Sequence, residues 1–125
     1  MKTIYRTAKA PAPVGPYSQA VEAGGFVFCS GQIAIDPNSN QVLTGPIEEQ
    51  AKQVLENIGA VLKETGLGFQ NVVKTTIFLA NMNDFSTVNE VYARYFTEQP
   101  PARSTVAVAG LPKGVHVEIE VIAKR

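Results

Sequence analysis

Apolar residues recur along the chain with two different periods, and the switches between them mark out its elements. From Pro46 onward, Ile47, Ala51, Val54, Leu55, Ile58, Val61 and Leu62 fall at the three- and four-residue spacing of one helical face. Proline opens this run and Gly66 follows it, the signals expected at a helix start and stop. The stretch "VVKTTIFL" (72–79) is β-branched and reads as a strand. After "NMND", Phe85, Val88, Tyr92, Tyr95 and Phe96 predict a second amphipathic helix, which Pro100 and Pro101 end.

On either side of the helices the pattern turns to strands. Ile4 and Tyr5 suggest a short first strand, after which Pro11, Pro13 and Pro16 keep the chain extended up to "GPYSQA". Runs at 20–22 and 26–35 flank Gly24-Gly25 and predict a hairpin, and "DPNSNQ" ends its second strand with turn-forming residues. The final stretch, "PPARSTVAVAGLPKGVHVEIEVIAK", alternates and predicts a second hairpin around "GLPK". The order is β-β-β-α-β-α-β-β, with no repeat or linker. This predicts one domain, 1–125, folded as an α+β two-layer sandwich: a mixed sheet with two helices on one face. Because "FVFCSG" and "VVKTTIFL" carry apolar residues on both faces, the sheet face without helices is expected to be buried by other subunits.

Within the predicted hairpin, Arg103 lies opposite Glu120 and diagonal to Glu118. Arg103, Thr105, His116, Glu118 and Glu120 then share one face, while Val106, Val108, Val115, Val117, Ile119 and Val121 share the other and meet the helices. Charges on a face buried between subunits need partners. Two readings follow from the residues. Arg103 and Glu118 form a structural cross-strand ion pair, or the planar fork of the arginine holds an anionic small molecule beside a carboxylate able to move protons.

Charge and composition narrow the choice of partner. Eleven basic and eleven acidic residues are scattered over 125 positions with zero formal net charge, which gives no electrostatic footprint for nucleic acid. Cys29 is the only cysteine, so an intrachain disulfide and a multi-cysteine zinc site are excluded; flanked by Phe26, Val27 and Phe28, it reads as a small buried hydrophobe. His116 has no second ligand at metal spacing and reads as a surface or interface histidine. The start "MKTIYRTAKAPAPVG" lacks the apolar run of a signal peptide, and no stretch is long and apolar enough for a membrane span; a cytoplasmic protein is expected. The glycines match no phosphate-binding spacing and are read as turns.

Five stretches, "APVGPYSQAV", "SGQI", "VVKTTIFLANMNDFSTVNEVY", "PARSTVAVAGLPKG" and "VEIEVIAKR", together resemble the reactive intermediate deaminase (Rid) family, also labelled endoribonuclease L-PSP-like. The resemblance implies a chorismate mutase-like homotrimer, with sheets forming an inner barrel, helices outside and three clefts between subunits. It further implies hydrolysis of reactive 2-imino acids, such as 2-iminopropanoate and 2-iminobutanoate, to 2-keto acids and ammonia, with neither metal nor organic cofactor. By the same resemblance Arg103 clamps the substrate carboxylate and Glu118 orients and activates water. Tyr17 covers the cleft, Ser30 and Gly31 line it, and Asn89 is a polar residue near it. By their patterns alone, Tyr17 also reads as a core or interface aromatic and Asn89 as a solvated or locally capped helix residue. Thr105 stands where several deaminase members have cysteine in "RSC", which excludes thiol chemistry there and leaves a hydroxyl able to bond ligand or water. The family's other label implies a ribonuclease or translation inhibitor, against which the neutral charge and the lack of paired histidines argue. A third reading is a non-enzymatic protein that binds small carboxylates in the same cleft.

Overall fold

The helix expected from Pro46 is the longest element of the chain. In the computed structural model, which describes residues 1–125, α1 runs Ile47–Glu64, with Glu48 and Glu49 in its first turn and Lys63 in its last, each placed to complement the helix dipole. It ends in a Schellman motif. The Leu67 N–H donates to Leu62 O at 3.0 Å and the Gly66 N–H to Lys63 O at 3.0 Å, with Gly66 at φ 82°, a conformation glycine adopts without steric cost. The predicted face, Ala51, Val54, Leu55, Ile58, Val61 and Leu62, is buried against the sheet. The second helix, α2, covers Phe85–Ala93 and follows a single 3-10 turn, Met82–Asp84. It stops earlier than its apolar spacing suggested, and Tyr95 and Phe96 continue it only as tight turn bonds back to Tyr92 O.

Eight strands are present: β1 Thr3–Tyr5, β2 Ala20–Ala23, β3 Phe26–Gln32, β4 Ile35–Asp36, β5 Gln41–Val42, β6 Val72–Leu79, β7 Ala102–Ala107 and β8 Val117–Lys124. Six of them form one mixed sheet in the order β1-β2-β3-β8-β6-β7, antiparallel throughout except for the parallel pair β6–β7. The hairpin β2–β3 turns on Gly24 and Gly25, both at positive φ as a two-residue hairpin turn requires. The run expected as one strand from 26 to 35 instead breaks after Gln32. Its end, β4, pairs with β5 as a separate small ribbon around "DPNSNQ", so the chain holds two short strands more than its pattern suggested.

The larger correction concerns the last two strands, which are not a hairpin. β7 returns parallel to β6 through α2, and β8 then inserts between β6 and β3. The connection 108–116 straddles the end of β6, where the Val108 N–H donates to Leu79 O at 2.9 Å and the Ala80 N–H to His116 O at 3.0 Å. Burial explains the order. In β8 Val117, Ile119, Val121 and Ala123 are fully enclosed, which suits a central strand, while every residue of β7 is exposed except the half-buried Thr105, which suits an edge.

The register then sets the faces. Thr75, Ile77 and Leu79 of β6 pair with Val121, Ile119 and Val117 of β8 and with Arg103, Thr105 and Ala107 of β7, and all of these face the helices. Glu118 and Glu120 pair with Phe78 and Thr76 and point to the opposite face. The expectation that Arg103 shares a face with Glu118 and Glu120 is therefore overturned, as is the helix-facing placement of Val106, which is 42% exposed on the open face.

Candidate functional site

The two charged residues singled out by the sequence lie on opposite faces of the sheet, each beside its own cavity, and these two places are called half-sites for the role proposed below. Arg103 projects from the edge strand toward α2, where Phe85, Asn89 and Tyr92 meet it. Its Nη1 donates to Asn89 Oδ1 at 2.7 Å, and its Cζ lies 5.0 Å from the Tyr92 ring centroid and 5.6 Å from that of Phe85. This is cation–π geometry on two rings. Beside it a groove of about 460 Å³ runs between Asn89, Tyr92, Ala93 and Phe96 on one side and Pro100 and Pro101 on the other. Thr105, two residues on and on the same face, has a buried Oγ1 with no hydrogen-bond partner within the chain. Buried hydroxyls are rarely left so.

Glu118 belongs to a different cleft, of about 310 Å³, which also takes in Tyr17, Ser30, Gly31 and Lys113. A bulge in β3 shapes it: Cys29 pairs with Val121 and Gln32 with Ile119, so Ser30 and Gly31 together face the single residue Glu120. The bulge is anchored by the Ser30 hydroxyl, which donates to Ser18 O at 2.6 Å, and by its N–H, which donates to Gln19 O at 2.9 Å. Gly31 is needed for space. A Cβ there would lie 2.9 Å from Cδ of Glu118, so any side chain would push the carboxylate aside. The buried Gln19 fixes one wall by donating to Thr7 O, Ala10 O and Pro11 O and accepting from the Thr7 N–H. Asn57 of α1 fixes another by donating to Ile33 O and Ile35 O. Tyr17 is half exposed at the rim, so the core reading of this aromatic falls away.

The electrostatics of the two half-sites differ from those of the chain's structural ion pairs. Arg125 binds Glu22 through Nε and Nη2, both at 2.9 Å, and this bond together with the Tyr5 hydroxyl holds the Glu22 carboxyl down at about 2. The other ion pair is Arg94–Glu48. Neither Arg103 nor Glu118 takes part in one. The cross-strand ion pair considered from the sequence does not form within the chain. Instead, burial and then repulsion from Glu120 raise the Glu118 pKa above the ordinary carboxylate value. Cys29 is buried, and burial pushes its thiol up to about 12, which leaves it inert at neutral pH. The His116 N–H donates to Gln50 Oε1 at 3.1 Å, which places the residue in the connection between β7 and β8 rather than in either half-site.

Thus Tyr17, Ser30, Gly31 and Glu118 come together in one cleft, Arg103, Asn89 and Thr105 on the other face of the sheet, and the chain does not unite the two groups. Sequence reasoning missed Phe85 and Tyr92 as neighbours of Arg103. Their positions at i and i+7 about Asn89 at i+4 were a legible signal of one helical stripe.

Comparison with known proteins identifies the family. The family model described as Endoribonuclease L-PSP matches residues 7–125. A RutC family protein of Synechocystis is 59% identical over 122 residues, 96% of this chain and 94% of that protein. The 2-iminobutanoate/2-iminopropanoate deaminase of Mus musculus is 52% identical over 123 residues, 98% of this chain and 91% of that protein. Among solved structures, E. coli TdcF with bound serine superposes with a TM-score of 0.93 at 44% identity, covering 98% of each chain. The chain belongs to the endoribonuclease L-PSP family, which includes the Rid and RutC proteins.

Proposed function

We propose that this protein is a hydrolytic deaminase that converts 2-imino acids to 2-keto acids and ammonia. It works as a homotrimer of chorismate mutase-like architecture, in which each cleft joins Arg103 of one copy to the Glu118 cleft of the next. One observation carries the reading: the two charges lie on opposite faces of one sheet, each without an ionic partner in its own chain, so a substrate that touches both needs two copies. The helix-free sheet face supports assembly. Phe26, Phe28 and Val106 are 40%, 46% and 42% exposed there, and burying large apolar side chains contributes about 1.5–3 kcal/mol each. The name of the mouse relative supports imine hydrolysis, and the serine bound by TdcF supports a small carboxylate ligand.

In this reading the fork of Arg103 takes the substrate carboxylate, and Thr105 Oγ1 supplies a further hydrogen bond beside it. Glu118 orients a water toward the electrophilic imine carbon. As the C–O bond forms, the C=N π pair moves to nitrogen and Glu118 carries a water proton to that nitrogen, giving a carbinolamine. Glu118 then carries the hydroxyl proton to nitrogen; the C–N bond breaks with its electron pair leaving on ammonia, and the carbonyl closes. The raised pKa of Glu118 suits this shuttle, because a stronger base takes the water proton more readily. The family description carries a second reading, cleavage of RNA, for which a chain of zero net charge offers little phosphate attraction.

Co-expression of Arg103→Ala with Glu118→Gln tests the shared cleft. Each variant alone should turn over an imine generated in place by a pyridoxal-phosphate enzyme at about a hundredth of the wild-type rate or less. Random mixing leaves about one cleft in four with both residues intact, so the mixture should recover roughly a quarter of wild-type turnover. A mixture no better than its parents would remove the shared cleft. Cleavage of single-stranded RNA by the wild type, lost in neither parent, would favour the second reading.

A further inference from the structure

We infer that Asn89 and Tyr92 are positioning residues that act through Arg103 and do not touch the substrate. This rests on the carboxylate-clamp role proposed above and gives a role to Asn89, which the resemblance marked only as a polar residue near the cleft. Tyr92 is buried, and its hydroxyl shares a 2.8 Å hydrogen bond with the buried Thr75 Oγ1. Thr75 is the β6 residue paired with Arg103 in the sheet. The ring is therefore tied at its far end to the strand position beside the arginine it supports, which fixes where the platform under the guanidinium lies. Burial raises the Tyr92 pKa, so the hydroxyl stays neutral and keeps this bond.

Asn89 completes the frame. It accepts one N–H of Arg103 with a neutral amide oxygen. A carboxylate in its place would fix the side chain equally well but would neutralise it, leaving less attraction for an incoming anion. The amide orients the fork and keeps its full charge for the ligand. Four of the five N–H donors of the guanidinium remain free of protein partners, enough for a bidentate carboxylate.

Pyruvate, a keto acid product needing no activated water, is the probe. Asn89→Ala should weaken its binding about tenfold, equivalent to about 1.4 kcal/mol, and raise KM by a similar factor while kcat changes less than about twofold. Asn89→Asp should weaken binding further, since it adds the opposing charge. The ¹⁵N relaxation of Arg103 Nε should report a freer side chain in Asn89→Ala. Tyr92→Leu, which removes the ring, should release it most, and Tyr92→Phe with Thr75→Val, which keeps the packing of the ring and removes only its tether to the strand, should release it in part. In an Arg103→Ala background, Asn89→Ala should have no further effect on pyruvate binding, read by ligand-observed NMR. An undiminished loss in that background, or an Arg103 side chain equally ordered without Asn89, would overturn the positioning role. Pyruvate binding unaffected by Arg103→Ala would instead remove the clamp itself, and the positioning role with it.

Discussion

The two half-sites solve opposite problems. Arg103 stands exposed on an edge strand, so what the fold supplies is orientation: two rings beneath the guanidinium and one amide against its flank. Glu118 is already oriented by a central strand, and what the fold supplies is environment. It is half buried, without a cationic partner and close to Glu120, so its proton is held more tightly than usual. An anion clamp needs an unspent charge in a fixed direction, whereas a base needs a raised affinity for protons. The chain places the two residues on separate faces of one sheet, so in the proposed reaction neither half is sufficient alone.

Removing the charge on the first side should have the largest effect. Arg103→Ala is expected to lower kcat/KM about a thousandfold, within the 2–5 kcal/mol range for truncating a charge partner, with thermal stability unchanged because the head group is exposed. Arg103→Lys should recover little, since an ammonium cannot form the fork. Steady-state turnover together with calorimetric pyruvate binding checks this, and near-normal kcat/KM for the lysine variant would reduce the clamp to a point charge.

On the second side, Glu118→Gln keeps shape and removes the proton acceptor. Turnover should fall about a hundredfold while pyruvate affinity stays within about tenfold. A parallel loss of both would make Glu118 a binding partner rather than a base. Gly31→Ala approaches the same carboxylate by steric means: the methyl group displaces Glu118, so turnover should fall about tenfold with pyruvate affinity changed less than about threefold. A crystal structure of this variant with Glu118 unmoved, yet with turnover reduced, would show that Gly31 acts through the backbone instead.

The contrast between the half-sites was only partly legible in the sequence. The 3.6-residue spacing over α1 and the Pro46 and Gly66 signals at its ends are local, and so are the two glycines of the β2–β3 turn. Strand alternation is local as well, but it records which residues share a face, not which strand lies alongside. The inference from chain adjacency of β7 and β8 to a hairpin failed for that reason, and a one-strand error in neighbour put Arg103 on the wrong face. The low apolar content of "ARST" against the buried valines and isoleucine of β8 held the correction, because it marks an edge strand beside a central one. Cleft membership for Tyr17, Ser30 and Gly31 came from the family resemblance, since the bulge that gathers them depends on the register with β8.

The smallest expected effect tests whether Glu118 is a free base or an ionic partner. Its pKa is raised, so the acidic limb of turnover should lie above the ordinary carboxylate range, and Glu120→Gln, by removing repulsion, should move that limb to lower pH. Stability follows the same proton. A folded pKa above the unfolded one means that the native chain binds the proton more tightly, so the contribution is present below the unfolded value near 4.5 and is lost as pH rises through the folded value. Glu118→Gln carries no such titration. It should therefore be more stable than the wild type above this window and lose that advantage below it, measured as the difference in denaturant midpoint at each pH. If Arg103 of a neighbouring copy instead sat close enough to pair with Glu118, the pKa would be pulled down and the sign would reverse, with Glu118→Gln less stable at neutral pH. That reversal would make the two residues a structural ion pair across the interface and would remove the general-base role.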